Sequence, residues 1–102
     1  MSNEIILPFY DRYGDSIVCY VDKINEKNYH ITDDGYIINN LFDSGLTLTP
    51  KRLDTIKLIC MGYGIKFADN ELQTDSSLDD LPKKVNNLAM AMLKIDDMFS
   101  GT

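Results

Sequence analysis

The sequence predicts an α+β domain: an antiparallel sheet of about five strands with three helices packed mainly on one face, in the order βββ-αα-ββ-α. Three observations predict it. Between Ser16 and Ile24, Ile17, Cys19 and Val21 alternate with Val18, Tyr20 and Asp22, the period of a half-buried strand. Leu81, Val85, Leu88, Met92, Ile95 and Phe99 recur at steps of four and three, which lines one face of a helix. Between them, Thr49-Pro50 supplies a helix start, and Gly62 and Gly64 supply its stop.

Each element follows in turn. Ile5, Ile6, Leu7 and Phe9 predict a first strand over Glu4–Tyr10. Pro8 cannot donate to a ladder, so that strand belongs at a sheet edge or ends at a bulge. Asp11-Arg12-Tyr13-Gly14-Asp15 reads as a turn, with Gly14 at positive φ. Asn25-Glu26-Lys27-Asn28 then links the second strand to a third, Tyr29–Thr32, antiparallel to it. Thr32-Asp33-Asp34-Gly35 brings capping oxygens to the start of a short helix, where Asp33 or Asp34 caps and Gly35 permits the turn. That helix carries Tyr36, Ile37, Asn40, Leu41 and Ser44, and Gly45 closes it in the left-handed conformation. In the next helix Thr49 is the N-cap, Leu48 staples against Leu53, and Leu53, Ile56, Ile59, Cys60 and Tyr63 form the apolar stripe. Ile65–Ala68 and Leu72–Thr74 flank Asp69-Asn70-Glu71 as a hairpin, and Ser76, Ser77 and Asp79 to Pro82 mark the entry to the last helix. In that helix Met90-Ala91-Met92 reads as core or as a groove-facing stripe.

At 102 residues and 11.6 kDa the chain has the size of one domain, taken as residues 1–102. Its 44% hydrophobic and 25% charged residues are enough to build a core and exclude the disordered class. The start Met1-Ser2-Asn3-Glu4 lacks the basic region of a secretion signal, and no apolar run is long enough to span a membrane. A cytoplasmic location with no membrane contact is therefore expected. Ten Lys and Arg against sixteen Asp and Glu give a net charge of −6, which repels phosphate backbones. Asp69, Glu71, Asp75, Asp79 and Asp80 fall in a stretch without Lys or Arg. With Asp33, Asp34 and Tyr36 they are the candidate partner-binding residues, and the expected partner is a protein rather than nucleic acid. Tyr10, Tyr13, Tyr29 and Tyr63 also lie near turns or element ends, where aromatics serve interfaces or trim the core. The sequence leaves self-association open.

Bond-making chemistry finds little footing. His30, the only histidine, lies near Asp33 and Asp34, yet no serine or cysteine is tied to it. Asp33 and Asp34, with Asp11, Asp15 or Glu4, are the acids from which a magnesium-dependent nuclease or hydrolase would draw its ligands. The acid-x-Lys triplet that accompanies such acids in restriction-type nucleases does not occur. Phosphate-loop, dinucleotide and EF-hand spacings do not occur either. Cys19 and Cys60 sit in apolar runs and read as buried free thiols. No catalytic, cofactor-binding or metal-binding residue and no cofactor is assigned. A second arrangement, two helices followed by a hairpin, would make a winged helix reading DNA with Lys51, Arg52 and Lys57. Against it, the wing would carry Asp69 and Glu71, and its reading helix would devote Ile56, Leu58, Ile59 and Met61 to apolar contact.

The words Leu7-Pro8-Phe9 with Asp11-Arg12 and Asp15, then Ile31-Thr32-Asp33-Asp34-Gly35-Tyr36, resemble an uncharacterised bacterial and phage family, domain of unknown function 1828. The resemblance continues through Gly45-x-x-Leu48-x-Pro50-Lys51-Arg52, Gly62-Tyr63-Gly64, Asn70-Glu71-Leu72, and Pro82-x-x-x-Asn86-Asn87-Leu88 with Ala91-Met92. It implies a setting in phage or mobile elements, and a chain that in many members continues into a second domain. It carries no catalytic residues. Small size, acidity and that setting together lead to the expectation of a non-enzymatic protein-binding module, an inhibitor of a nucleic-acid-targeting defence system of the anti-CRISPR or anti-restriction kind. The metal-dependent nuclease and the winged-helix DNA binder are the alternatives.

Overall fold

The computed structural model describes residues 2–10 and 14–99. Asp11, Arg12 and Tyr13 of the expected first turn, and the terminal Ser100, Gly101 and Thr102, lie outside the described residues. The architecture is α+β in the expected order. Strands β1 (Ser2–Tyr10), β2 (Ser16–Lys23) and β3 (Asn28–Thr32) form an antiparallel meander. In β1, Ile6 lies opposite Val18 but Tyr10 opposite Ser16, so the three residues from Leu7 to Phe9 face the single residue Ile17. Pro8 sits in this bulge, and β1 is an edge strand, so the missing N–H is accommodated twice over. The β2–β3 turn is held by Asn25, whose Oδ1 accepts from the amides of Lys27 and Asn28 at 2.9 and 3.0 Å.

Helices α1 (Tyr36–Asp43) and α2 (Pro50–Gly62) follow. Thr49 caps α2 by accepting from the Arg52 amide, with Pro50 in the first turn. Both helices stop in the same way. A glycine at positive φ, Gly45 or Gly64, gives its amide to Phe42 or Met61, and the next residue, Leu46 or Ile65, gives its amide to Leu41 or Cys60. That pair of bonds satisfies the last carbonyls of each helix.

The hairpin of β4 (Lys66–Ala68) and β5 (Glu71–Ser77) completes the sheet, whose strand order is β1-β2-β3-β5-β4. Its turn is shorter than expected. Asp69 and Asn70 alone take left-handed conformations, with φ of 54° and 60°, and Glu71 already belongs to the strand. Strand β5 is also longer, because its residues from Gln73 to Ser77 match all of β3 and Ser76 is buried opposite Tyr29. Ser77 ends the strand and also accepts the Asp80 amide at the entry to α3 (Leu81–Phe99).

All three helices lie against one face. Ile17, Cys19 and Val21 of β2, Ile31 of β3 and Leu72 of β5 meet Ile37, Ile38 and Leu41 of α1, Ile56 and Cys60 of α2, and Leu88, Ala91, Met92 and Ile95 of α3. One expectation for α2 is corrected. Leu58 and Met61 are not buried but 67% and 72% exposed, since on a helix that turns about 100° per residue Leu58 points opposite to Ile56 and Cys60, and Met61 lies about 100° round from Cys60. The hairpin after α2 is part of the sheet, since Gln73 to Ser77 of β5 pair with β3.

Candidate functional site

The Thr32–Tyr36 segment is organised by one buried carboxylate. Asp34 and Gly35 adopt φ of 53° and 78°, and the Tyr36 amide closes the turn on the Asp33 carbonyl at 3.0 Å. Two consecutive left-handed residues reverse the chain from β3 into α1, and Gly35 makes the second of them cheap. Asp33 is turned inward and fully buried. Its Oδ1 accepts from the Gly35 and Leu72 amides at 2.9 and 3.0 Å, and its Oδ2 from the Ile37 amide at 3.1 Å. The Asp33 amide in turn donates to the Leu72 carbonyl. The expected capping role thus falls to Asp33, acting from two positions before Gly35, which occupies the N-cap position itself. The same carboxylate ties the helix start to β5.

Burial pushes the Asp33 carboxyl up to about 6. The amides of Leu72, Ile37 and Gly35 pull it back down, and the nearby charge of Glu71 adds a smaller upward push. Burial, with the Asp33 charge second, pushes the thiols of Cys19 and Cys60 up to about 11. Both cysteines are free and buried, as expected.

Asp33 is therefore no surface contact for a partner. Asp34 is exposed and its amide donates to the Thr32 hydroxyl, which in turn donates to Glu71 at 2.7 Å. Tyr36, half-buried, opens α1. The five acids from Asp69 to Asp80 do not form one knot. Asp69 lies in the β4–β5 turn, Glu71 and Asp75 stand on the strand itself, and Asp79 and Asp80 follow its far end, about 20 Å from Glu71 at the usual rise per residue. His30 pairs with Asp75, directly opposite it across β3 and β5, at 2.7 Å, and not with Asp33 or Asp34. Among the described residues, no three of His, Cys, Asp and Glu converge in a way that would hold a metal ion.

The register assembles a different surface from the one the chain order points to. On the sheet face away from the helices, Glu4, Tyr20, Thr32, Gln73 and Lys66 form one row across all five strands. Asp22, His30 and Asp75 form the next, and Ile6 and Val18 lie on the other side, toward the β1 bulge. Ile6 and Tyr10 are 69% and 68% exposed. This open face is apolar at the β1–β2 end and acidic toward β5. Asp22 had no place among the sequence candidates, and Glu4 stood there as a metal ligand and not as a partner contact. Their signal was the strand alternation, which sets Tyr20 and Asp22 on the face opposite Ile17, Cys19 and Val21.

No helix among the described residues is long and apolar enough to cross a membrane. No curated protein and no solved structure matches the chain. A family model does, over residues 7–95, which takes in the Asp33 turn, both glycine-closed helices, the β4–β5 hairpin and most of α3. On that match the chain belongs to the family described as Domain of unknown function DUF1828.

Proposed function

We propose that the domain is a non-enzymatic protein-binding module that applies its open sheet face to a basic protein surface. The observation that carries this reading is the combination on that face of uncovered apolar side chains, Ile6 and Tyr10, with the carboxylates of Glu4, Asp22, Glu71 and Asp75. A sheet face left bare at its apolar end has surface to gain by docking, and the acids choose the partner's sign. Of the acids a hydrolase would draw on, Asp33 is taken up by the fold, since both its oxygens accept from backbone amides.

Within that reading the partner is a nucleic-acid-targeting defence nuclease, whose basic channel the acidic face occupies. The test is titration against purified CRISPR and restriction nucleases at low and high salt. A complex that competes with nucleic acid, weakens with salt, and is lost in Glu4→Lys and Ile6→Asp supports it. Absence of a complex with any of them, or one that neither substitution touches, overturns it.

A further inference from the structure

The opposite edge of the molecule holds a groove that shares with the open sheet face only Lys66, the β4 end of its row. Leu53, Lys57 and Met61, four residues apart on α2, form one wall, and Ile65, Lys66 and Phe67 at the edge strand β4 form the other. Two hollows of about 450 and 550 Å³ share Lys57 and Phe67 and so run together along it.

The floor offers a backbone as well as side chains. A two-residue turn leaves its flanking pair, Ala68 and Glu71, hydrogen-bonded, so Phe67 and Leu72 are a non-bonded pair whose amides point outward on both sides. Leu72 obeys this, since its amide and carbonyl both go to Asp33. Phe67 accordingly turns its N–H and C=O away from β5, toward the open edge of the sheet. The charge of the groove runs against that of the whole. In a chain of net −6, Lys57 and Lys66 line it against a single acid, Asp69 at the turn end, and among the described residues neither lysine has a carboxylate within ion-pair distance.

We propose that this groove takes an extended acidic segment of a partner protein, which adds as a strand beside β4. Its backbone pairs with Phe67, an apolar side chain rests on Met61 and Phe67, and a carboxylate lies at Lys57 and Lys66. Main-chain pairing at an edge gives affinity, and the ammonium groups of Lys57 on the helix wall and Lys66 on the strand wall give the choice of sequence.

The test is a titration of the 15N-labelled protein with an octapeptide alternating glutamate and valine, up to about 1 mM, where a millimolar site half-fills. The expected result is a shift of the Phe67 amide and its protection from exchange, weakened about ten-fold in the surface double variant Lys57→Glu/Lys66→Glu. The lysine-valine octapeptide should leave Phe67 unmoved. The proposal is overturned if the acidic peptide leaves Phe67 unshifted or both peptides shift it equally. It is also overturned if Phe67 shifts with protein concentration alone, which would make a second copy the occupant. Ile6→Asp, on the sheet face, should bind this peptide as the parent does, so the two surfaces fail or succeed separately.

Discussion

Asp33 makes the domain more stable in mild acid than a neutral side chain in its place would. In the unfolded chain its carboxyl titrates at the ordinary 3.8, and in the folded protein burial raises this to about 6. Between those values the folded state holds a proton that the unfolded state has already released. Acid therefore favours folding, and stability from this group falls as pH rises through the window. The full difference is about 3 kcal/mol, and about 2 kcal/mol of it is gained on going from pH 7.5 to about pH 4.5. The comparison is with Asp33→Asn, which keeps an oxygen for Gly35 and Leu72 but sets an N–H against the Ile37 amide. That clash lowers stability by about 1–3 kcal/mol at every pH. Urea unfolding of both proteins across the range cancels the titration of every other carboxylate. The gap between parent and variant should widen by about 2 kcal/mol, or about 10 °C in Tm, on acidification. A gap that stays flat or narrows would show that the amides outweigh burial and that the charged form is the one the fold prefers.

Other outcomes follow from single residues. Gly35→Ala places a Cβ at φ 78°, within 3.5 Å of Asn39 Nδ2 and 3.7 Å of the Asn70 carbonyl. It should lower stability by about 1–2 kcal/mol, read as a Tm loss, whereas Gly62→Ala, with open space around it, should not destabilise. Thr49→Ala removes the acceptor for the Arg52 amide and should cost about 1 kcal/mol in urea unfolding. Cys19 and Cys60, buried and with thiols pushed up to about 11, should resist a thiol reagent at about pH 8 until the protein is unfolded. Rapid native-state labelling of either would contradict their placement.

The fold was legible wherever one local rule decided the outcome. The alternation in β2, the Thr49-Pro50 start of α2 and the stops at Gly45 and Gly64 each rest on nearest-neighbour chemistry, and each stands where the sequence places it. What local chemistry does not carry is partnership at a distance. His30 is close to Asp33 in the chain but opposite Asp75 in the sheet, because β5, not β4, lies beside β3. Likewise Asp33 looks like one of a pair of surface acids until Leu72, distant in sequence, supplies the third amide that turns it inward. The exposed Leu58 and Met61 show the limit of reading hydrophobicity as burial. A helix packed along one side leaves its other side to solvent, whatever residues stand there.

The Asp33 joint has a consequence for how the molecule opens. One side chain clamps the exit of a central strand, the first turn of a helix and a strand that follows two helices and a tight turn. None of the three can pull away alone without stranding the carboxylate among bare amides. The protons on the nitrogens of Gly35, Ile37 and Leu72 should thus exchange together, at the rate of whole-domain unfolding. Any reshaping that accompanies docking must be borne by the bulged outer strand or the short rim strand, because the middle of the molecule is riveted.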